Sequence, residues 1–203
     1  MLAQIVSFLG KIFLPSNVNW RVKTSEKKLY LTFDDGPIPE VTPLVLEILK
    51  QHNAKATFFC VGENVQRHPD VFKQILAEGH SVGNHSFNHI KANKFSTDEY
   101  LANVAKAGKL IQSPLFRPPY GQITPKLAKK LGEDYKIYMW SVLTRDYEQN
   151  LNPEACLRIA LNQSKKGSII VFHDSLKASK NMLYALPRVL EYFGKKGYSF
   201  EKL

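Results

Sequence analysis

Two adjacent carboxylates, Asp34 and Asp35, follow an apolar run that ends at Phe33 and precede the pair Gly36-Pro37. Adjacent carboxylates repel each other, so a site that keeps both of them ionised needs a cation nearby. Asp-Gly-Pro is also ordinary turn chemistry, because glycine and proline favour tight turns. Taken alone, the pair indicates either a cation site or a turn.

Two histidines, His85 and His89, lie four residues apart after Gly83-Asn84. On a helix this spacing puts both imidazoles on one face, and a tight loop can also bring them together, so both can reach one metal ion. Two histidines and one carboxylate form a recurring ligand set of catalytic zinc, with one position left open for water. The spacing is common by chance, but beside Asp34 and Asp35 it favours a metal site.

Arg117 follows an apolar pair and precedes Pro118 and Pro119, which restrict the backbone. Its guanidinium is permanently charged and can pair with a carboxylate through two parallel hydrogen bonds, which would orient that partner and lower its pKa. The alternative role is a structural salt bridge.

His173 ends the β-branched run that begins at Ile169, and Asp174 follows it. A histidine at a strand end titrates near neutral pH and could act as a general acid. The alternative is a structural histidine that is hydrogen-bonded by Asp174.

Short apolar runs alternate with amphipathic stretches from Leu29 onward, which is typical of strands joined by helices in a mostly parallel sheet. The predicted strands are 29–33, 56–61, 81–83, 115–117, 136–140, 168–173 and 198–203. The predicted helices are 41–52, 65–78, 97–111, 125–131, 153–165 and 183–193. Most of these strands lead into polar segments, and an α/β barrel carries its site at the carboxyl ends of its strands.

The composition of the 203 residues, 44% hydrophobic and 23% charged, indicates one globular domain over residues 1–203 and excludes a disordered chain. Two cysteines, Cys60 and Cys156, exclude a disulfide framework, and we expect Cys60 to be a buried structural thiol.

The formal net charge of +10 favours anionic surfaces, but the chain has no nucleic-acid-binding motif, so we expect no nucleic-acid partner.

The first fifteen residues place apolar side chains at helical spacing before Pro15, which predicts an amphipathic helix. Such a helix either packs on its own domain or makes a peripheral membrane contact through residues 1–14. The segment lacks the basic start and small-residue cleavage site of a signal peptide, so we expect a cytoplasmic or membrane-associated protein, with export by an unusual route as the alternative. We also expect a monomer.

Together, the motifs resemble the polysaccharide deacetylase family, the NodB-homology domain of the family-four carbohydrate esterases. The resemblance runs from residue 29 to residue 203 and includes Ala54-Lys55-Ala56-Thr57-Phe58-Phe59, Val61-Gly62 and the stretch from Glu78 to His85. It implies a distorted (β/α) barrel of about seven parallel strands. It also implies hydrolysis of the N-acetyl groups of a GlcNAc-containing polysaccharide with a divalent metal, usually zinc or cobalt.

Position by position, the resemblance implies a role for each motif residue. Asp34 resembles the general base that activates the attacking water, and Arg117 resembles the residue that holds this base. His173 is similar to the general acid that protonates the departing amine. The implied metal ligands are Asp35, His85 and His89.

The resemblance also implies how the substrate is bound. The backbone N–H of Tyr120 resembles a donor to the developing oxyanion, and Val171 stands where the family usually has a leucine in the acetyl pocket. We add Pro119, Trp140 and Tyr147 as expected substrate contacts.

The fourth motif, residues 140–147, departs from the family pattern. Leu143 takes the place of an aspartate that helps to tune the acid histidine, and Tyr147 replaces a tryptophan. Asp146, the second acid of the motif, is retained, and we expect it to support Arg117 or His173. The charge of His173 is therefore left open by the sequence.

The sequence thus predicts a metal-dependent deacetylase of peptidoglycan-like or chitin-like polymers. An esterase that removes O-acetyl groups from a xylan-type glycan is one alternative, because the same activated water attacks either carbonyl. A glycan-binding pseudoenzyme is the other. The presence of both Asp34 and His173 argues against it, since a binding module needs neither a base nor an acid.

Overall fold

The computed structural model describes residues 16–203. The amphipathic helix expected over residues 1–15, with its membrane contact through residues 1–14, lies outside the described residues. Within the described range, no helix is long and apolar enough to cross a bilayer.

In the described part of the chain, nine parallel strands form one sheet. They are β1 (Val18–Asn19), β2 (Lys28–Asp34), β3 (Ala56–Cys60), β4 (Ser81–Asn84), β5 (Leu115–Phe116), β6 (Lys136–Tyr138), β7 (Val142–Leu143), β8 (Ile169–His173) and β9 (Ser199–Phe200). The order is β1-β6-β5-β4-β3-β2-β8-β7, and β9 pairs with the start of β2. Between residues 16 and 203, no strand ladder joins β1 to β7. The predicted distorted barrel is therefore confirmed as an incomplete barrel, with β1 and β7 added to the seven predicted strands.

Seven α-helices are present in the described range. They are α1 (Thr42–Gln51), α2 (Gly62–Arg67), α3 (Pro69–Ala77), α4 (Thr97–Ile111), α5 (Pro125–Leu131), α6 (Pro153–Gln163) and α7 (Ser179–Lys195). The single helix predicted over residues 65–78 is wrong, since α2 and α3 are separate. His68 lies between them with φ −128° and ψ 56°, because a residue before proline disfavours the helical region.

The central strands are buried on both faces, as is usual for a parallel sheet covered by helices. In β2, Leu29, Leu31 and Phe33 are buried, and so are Thr32 and Asp34. The Phe33 ring stacks on Phe58 of β3, with ring centroids 5.0 Å apart. This apolar packing holds the strands, and hence their carboxyl ends, in fixed register. Cys60 and Cys156 are buried free thiols, as expected for Cys60.

The register of the strands brings the predicted site residues to one edge. Asp34, the last residue of β2, pairs with His173, the last residue of β8. Asn84 of β4 pairs with Phe116 of β5, so the next residues, His85 and Arg117, are also neighbours. Four residues that are far apart in the sequence therefore meet at the carboxyl ends of four strands.

Candidate metal and catalytic site

Three side chains that follow β2 and β4 converge on one point. The ligand atoms of Asp35, His85 and His89 all lie within 4.8 Å of one another. Asp35 Oδ1 is 3.2 Å from His89 Nε2 and 3.9 Å from His85 Nε2. One small cation can therefore contact all three.

His85 is held in the form that a metal ligand needs. Its Nδ1 lies 2.7 Å from the Arg117 carbonyl oxygen, which can only accept, so Nδ1 carries the proton and Nε2 keeps a free lone pair. Burial lowers the pKa of His85 to about 4, although the nearby charges of Asp34 and Asp35 act in the opposite direction. The imidazole is therefore neutral at neutral pH.

Asp35 presents an oxygen without a donor. Its Oδ1 is buried and makes no hydrogen bond to any residue in the described part of the chain. Burial opposes ionisation, but the closeness of His89 and the charges of His173 and His85 hold the pKa of Asp35 well below its ordinary value. A buried anionic oxygen beside two imidazole nitrogens matches the donor set of a divalent cation such as zinc.

Asp34 is buried beside this point and is fixed by Arg117. Arg117 Nη1 donates to Asp34 Oδ1 at 2.7 Å and to the Thr32 hydroxyl at 2.8 Å. The guanidinium also donates to the carbonyl oxygens of Tyr138 and Met139. Asp34 Oδ2 remains directed towards the ligand cluster, 3.9 Å from His85 Nε2. The structure thus places Arg117 where it positions Asp34.

His173 is paired with Asp146. The His173 Nδ1 lies 2.7 Å from Asp146 Oδ1, and the His173 backbone N–H donates to Asp146 Oδ2 at 2.7 Å. Burial favours the neutral ring, but the charge of Asp146 and its hydrogen bond outweigh burial and raise the pKa of His173 to about 9. Of the two partners considered for Asp146, the structure places it on His173. The position occupied by Leu143 is not required for this pairing.

Asp174 does not bind the His173 ring, so that alternative is wrong. Its carboxylate turns the other way, because it accepts the Gly36 N–H at 3.0 Å and the Thr42 hydroxyl at 2.6 Å. Burial raises the pKa of Asp174, whereas the hydrogen bonds from the Thr42 hydroxyl and the Gly36 N–H favour its ionised form. No local sequence pattern indicates this pairing of Asp174 with the loop after β2.

A cavity of about 580 Å³ opens above these groups. Tyr120 stands against His89 with ring centroids 4.5 Å apart, and Tyr147 meets the edge of His173 at 5.0 Å.

Trp140 and Val171 also line the cavity, whereas Pro119 is buried in the turn beneath Tyr120 and does not line it. Further lining residues that the sequence did not single out as contacts are Trp20, Gly121, Gln122, Met139, Leu143, Ser175 and Lys177.

Two exposed lysines stand beside the two tyrosines. Lys91 Nζ lies 4.6 Å from the Tyr120 ring centroid, and Lys177 Nζ lies 5.8 Å from that of Tyr147. Tyr120 adjoins His89 and Tyr147 adjoins His173, so one lysine lies near each of these two histidines. The rim of the cavity is thus cationic.

Comparison with known proteins gives consistent matches. A model of the polysaccharide deacetylase family matches residues 21–136. A peptidoglycan-N-acetylglucosamine deacetylase of Bacillus cereus is 40% identical over 192 residues, which cover 90% of this chain and 89% of that protein. The peptidoglycan-N-acetylglucosamine deacetylase PgdA of Listeria monocytogenes is 38% identical over 98% of this chain. The match spans 43% of the Listeria protein, so this chain corresponds to less than half of it.

Solved structures share the fold and include both active and inactive proteins. The crystal structure of a peptidoglycan N-acetylglucosamine deacetylase bound to a naphthalenyl-N-oxidanyl-benzamide superposes with a TM-score of 0.88. It has 32% identity, and the match covers 97% of this chain and 94% of that one. A CE4 family pseudoenzyme from Bacillus anthracis gives a TM-score of 0.83 at 27% identity, over 94% of this chain and 68% of that one. Fold similarity alone therefore does not separate turnover from binding.

Proposed function

This chain belongs to the polysaccharide deacetylase family, and from that premise we propose that it removes N-acetyl groups from the GlcNAc residues of peptidoglycan with a bound divalent cation. Zinc is the cation that the two imidazoles and one carboxylate favour, with cobalt as the alternative. The observation that carries the proposal is the meeting of base, ligand cluster and acid in one cavity.

Asp35, His85 and His89 would hold the cation. When bound, a divalent cation makes water more acidic and polarises the acetyl carbonyl. Asp34 accepts the proton of the attacking water, since its Oδ2 faces the ligand cluster. The ion pair with Arg117 keeps Asp34 oriented for this transfer.

Tyr120 can stabilise the developing oxyanion through its backbone N–H. The hydrogen bonds of this turn run from the N–H of Gly121 to Pro118 and from that of Gln122 to Pro119, so neither of them uses the Tyr120 N–H. A preorganised backbone donor of this kind contributes several kcal/mol, about 3, to transition-state stabilisation in known hydrolases.

His173 supplies the proton that completes the reaction. Because Asp146 holds Nδ1, the Nε2 proton faces the cavity and is available to the amide nitrogen. Protonation of this nitrogen accompanies cleavage of the C–N bond, which yields acetate and a free amine. An amide needs this proton more than an ester does, so the charged His173 supports N-deacetylation over the O-acetyl esterase alternative.

The cationic rim supports peptidoglycan over neutral chitin. In peptidoglycan, the sugars on both sides of a GlcNAc carry lactyl groups, whose carboxylates or attached peptides are anionic. Lys91 and Lys177 lie beside Tyr120 and Tyr147, where their ammonium groups can attract such anionic neighbours. Attraction of opposite charges favours the anionic polymer.

The first test is acetate release from peptidoglycan fragments and from neutral GlcNAc oligomers, with protein stripped of metal and then resupplied with zinc or cobalt. We expect turnover of both substrates, restored by metal, with the lower KM for the peptidoglycan fragments. Binding of zinc and of glycan without acetate release would instead establish a pseudoenzyme.

Variants separate the assigned roles. We expect Asp35→Ala and His89→Ala to lose zinc and turnover together, because each removes a ligand. Asp34→Asn should keep zinc but lose turnover by about 10²-fold or more, because it removes only the base. The control is Asp70→Asn, an exposed acid paired with Lys73. Full zinc binding by both ligand variants would overturn the ligand assignment.

A further inference from the structure

Asp35 has a backbone conformation that its surroundings must maintain. Its φ is 86°, in the left-handed region that side chains with a Cβ rarely adopt. This conformation directs the carboxylate towards His85 and His89. A local energetic cost at a ligand persists only where neighbouring groups hold the backbone in place.

Asp174 is bonded to the residues on both sides of Asp35. Its backbone N–H donates to the Asp34 carbonyl at 3.1 Å, and its Oδ1 accepts the Gly36 N–H at 3.0 Å. The side chain is fully buried. One residue therefore fixes the peptide group before Asp35 and the one after it.

Thr42 fixes the orientation of the Asp174 carboxylate. The Thr42 hydroxyl accepts the Ile38 N–H at 2.8 Å, so its own proton is directed to Asp174 Oδ2, 2.6 Å away. Both carboxylate oxygens of Asp174 thus act as acceptors. An amide in the same place could accept through only one of its two terminal atoms.

The loop packs tightly on this carboxylate. A Cβ added to Gly36 would lie 2.0 Å from Asp174 Oδ2, so only glycine fits there without displacing Asp174. On its other side, the loop is held by Asn64, whose Nδ2 donates to the Asp35 carbonyl at 2.7 Å. The path of residues 34–36 is determined by these contacts.

We propose that Asp174 is a positioning residue for the metal ligand Asp35. It touches neither the ligand cluster nor the cavity, and it acts by holding the Gly36 N–H and the Asp34 carbonyl. The inference rests on the metal site of the proposed function but not on the reaction. Outer partners of this kind typically change metal affinity by about 10–100-fold when they are replaced.

The test is zinc affinity, measured by competition with a chelator, together with the absorption spectrum of the cobalt-loaded protein. Asp174→Asn keeps the side-chain volume but places an NH₂ group against a donor, so we expect zinc affinity to fall by about 10–100-fold and the cobalt spectrum to change. The matched control is Asp146→Asn, which makes the same substitution at a buried acid beside His173. We expect its zinc affinity to stay within about threefold of the wild type, because Asp146 does not hold the Asp35 loop.

A folded Asp174→Asn protein with wild-type zinc affinity and cobalt spectrum would overturn the inference. If this variant does not fold, Thr42→Val tests the inference instead, because it keeps the Asp174 carboxylate and removes one of its hydrogen-bond donors. We expect Thr42→Val to lower zinc affinity in the same direction but by less, and unchanged affinity would overturn the inference. Wild-type protein that binds zinc without releasing acetate would contradict the proposed function. The role of Asp174 could still be tested in that case, because zinc affinity does not depend on turnover.

Discussion

At the scale of single residues, the site gives two histidines opposite protonation states. Burial lowers the pKa of His85 to about 4. His173 is also buried, but Asp146 reverses the effect and raises its pKa to about 9. At neutral pH, His85 is therefore neutral, as its proposed role as a ligand requires, and His173 is charged, as its proposed role as the acid requires. The environment of each ring determines which role it can take.

Asp146→Asn should move the alkaline limb of the pH–rate profile to lower pH. Without the Asp146 charge, burial dominates and the pKa of His173 falls, so the proton is lost at a lower pH than in the wild type. We expect kcat on GlcNAc oligomers to fall at least about tenfold at pH 8 and less at pH 6. The measurement is kcat from about pH 5 to pH 10.

The control for this profile is Glu148→Gln. Glu148 pairs with Arg145 two residues from Asp146 but makes no bond to His173. Its alkaline limb should match that of the wild type. An Asp146→Asn limb that coincides with the wild-type limb would show that Asp146 does not set the acidity of His173.

The motif residues of the site could be predicted from the sequence, but the partners that hold them could not. Residue type and spacing alone indicate Asp34, Asp35, His85 and His89. Asp174 bonds Thr42 and Gly36 across 132 and 138 residues. Contacts over such distances depend on strand register, which no local pattern reports.

At the scale of elements, buried strands support loops with unusual backbone conformations. Among residues 16–203, seven non-glycine residues have positive φ. Five of them lie in the loops around the site, namely Asp35, Ser86, His89, Tyr120 and Arg145. Backbone conformations of higher energy are thus concentrated in the loops whose side chains converge on the site. The packed strands on which these loops are anchored keep the loops in these conformations.

Element prediction was accurate for two of the helices. The predicted helices over residues 97–111 and 125–131 match α4 and α5 residue for residue. Strands β1 and β7 have two residues each, too few for a period to be visible. The break between α2 and α3 was readable from His68-Pro69, because proline restricts the residue before it.

Helix α4 gives a stability prediction that is independent of catalysis. Ser96 caps its first turn, since its side chain accepts the Glu99 N–H and the Glu99 side chain accepts the Ser96 N–H. Ser96→Ala should lower the free energy of unfolding by about 1 kcal/mol, measured by urea denaturation.

The neighbouring variant Thr97→Ala is the control for Ser96. It lies inside the helix and leaves the cap in place, so it should be neutral or slightly stabilising. Equal losses for both variants would mean that the cap is not the cause. Acetate release should be unchanged in both.

At the scale of the whole molecule, the parallel sheet gathers chemistry from distant segments. The carboxyl ends of parallel strands share one edge, so β2, β4, β5 and β8 bring the proposed base, ligands, arginine and acid together. The formal net charge of +10 adds a long-range attraction for anionic polymers.

This charge predicts a salt dependence that differs between substrates. The KM for anionic peptidoglycan fragments should rise several-fold from low to physiological salt, because ions screen the attraction. The KM for neutral GlcNAc oligomers should stay nearly constant. Lys91→Ala combined with Lys177→Ala should remove much of the difference, and Lys73→Ala, remote from the cavity in α3, is the control. Equal salt slopes for both substrates would argue against recognition by charge.

Arg117 serves the site through two chemically different parts. Its side chain bonds Asp34, whereas its carbonyl oxygen bonds the His85 ring. Every amino acid has that carbonyl, so a change of side chain at position 117 leaves the acceptor for His85 in place. The orientation of the proposed base, Asp34, depends on the side chain at position 117. The orientation of the proposed ligand, His85, depends at this position on the main chain alone. A point mutation can therefore remove the contact to Asp34, whereas no substitution at position 117 can remove the carbonyl acceptor of His85.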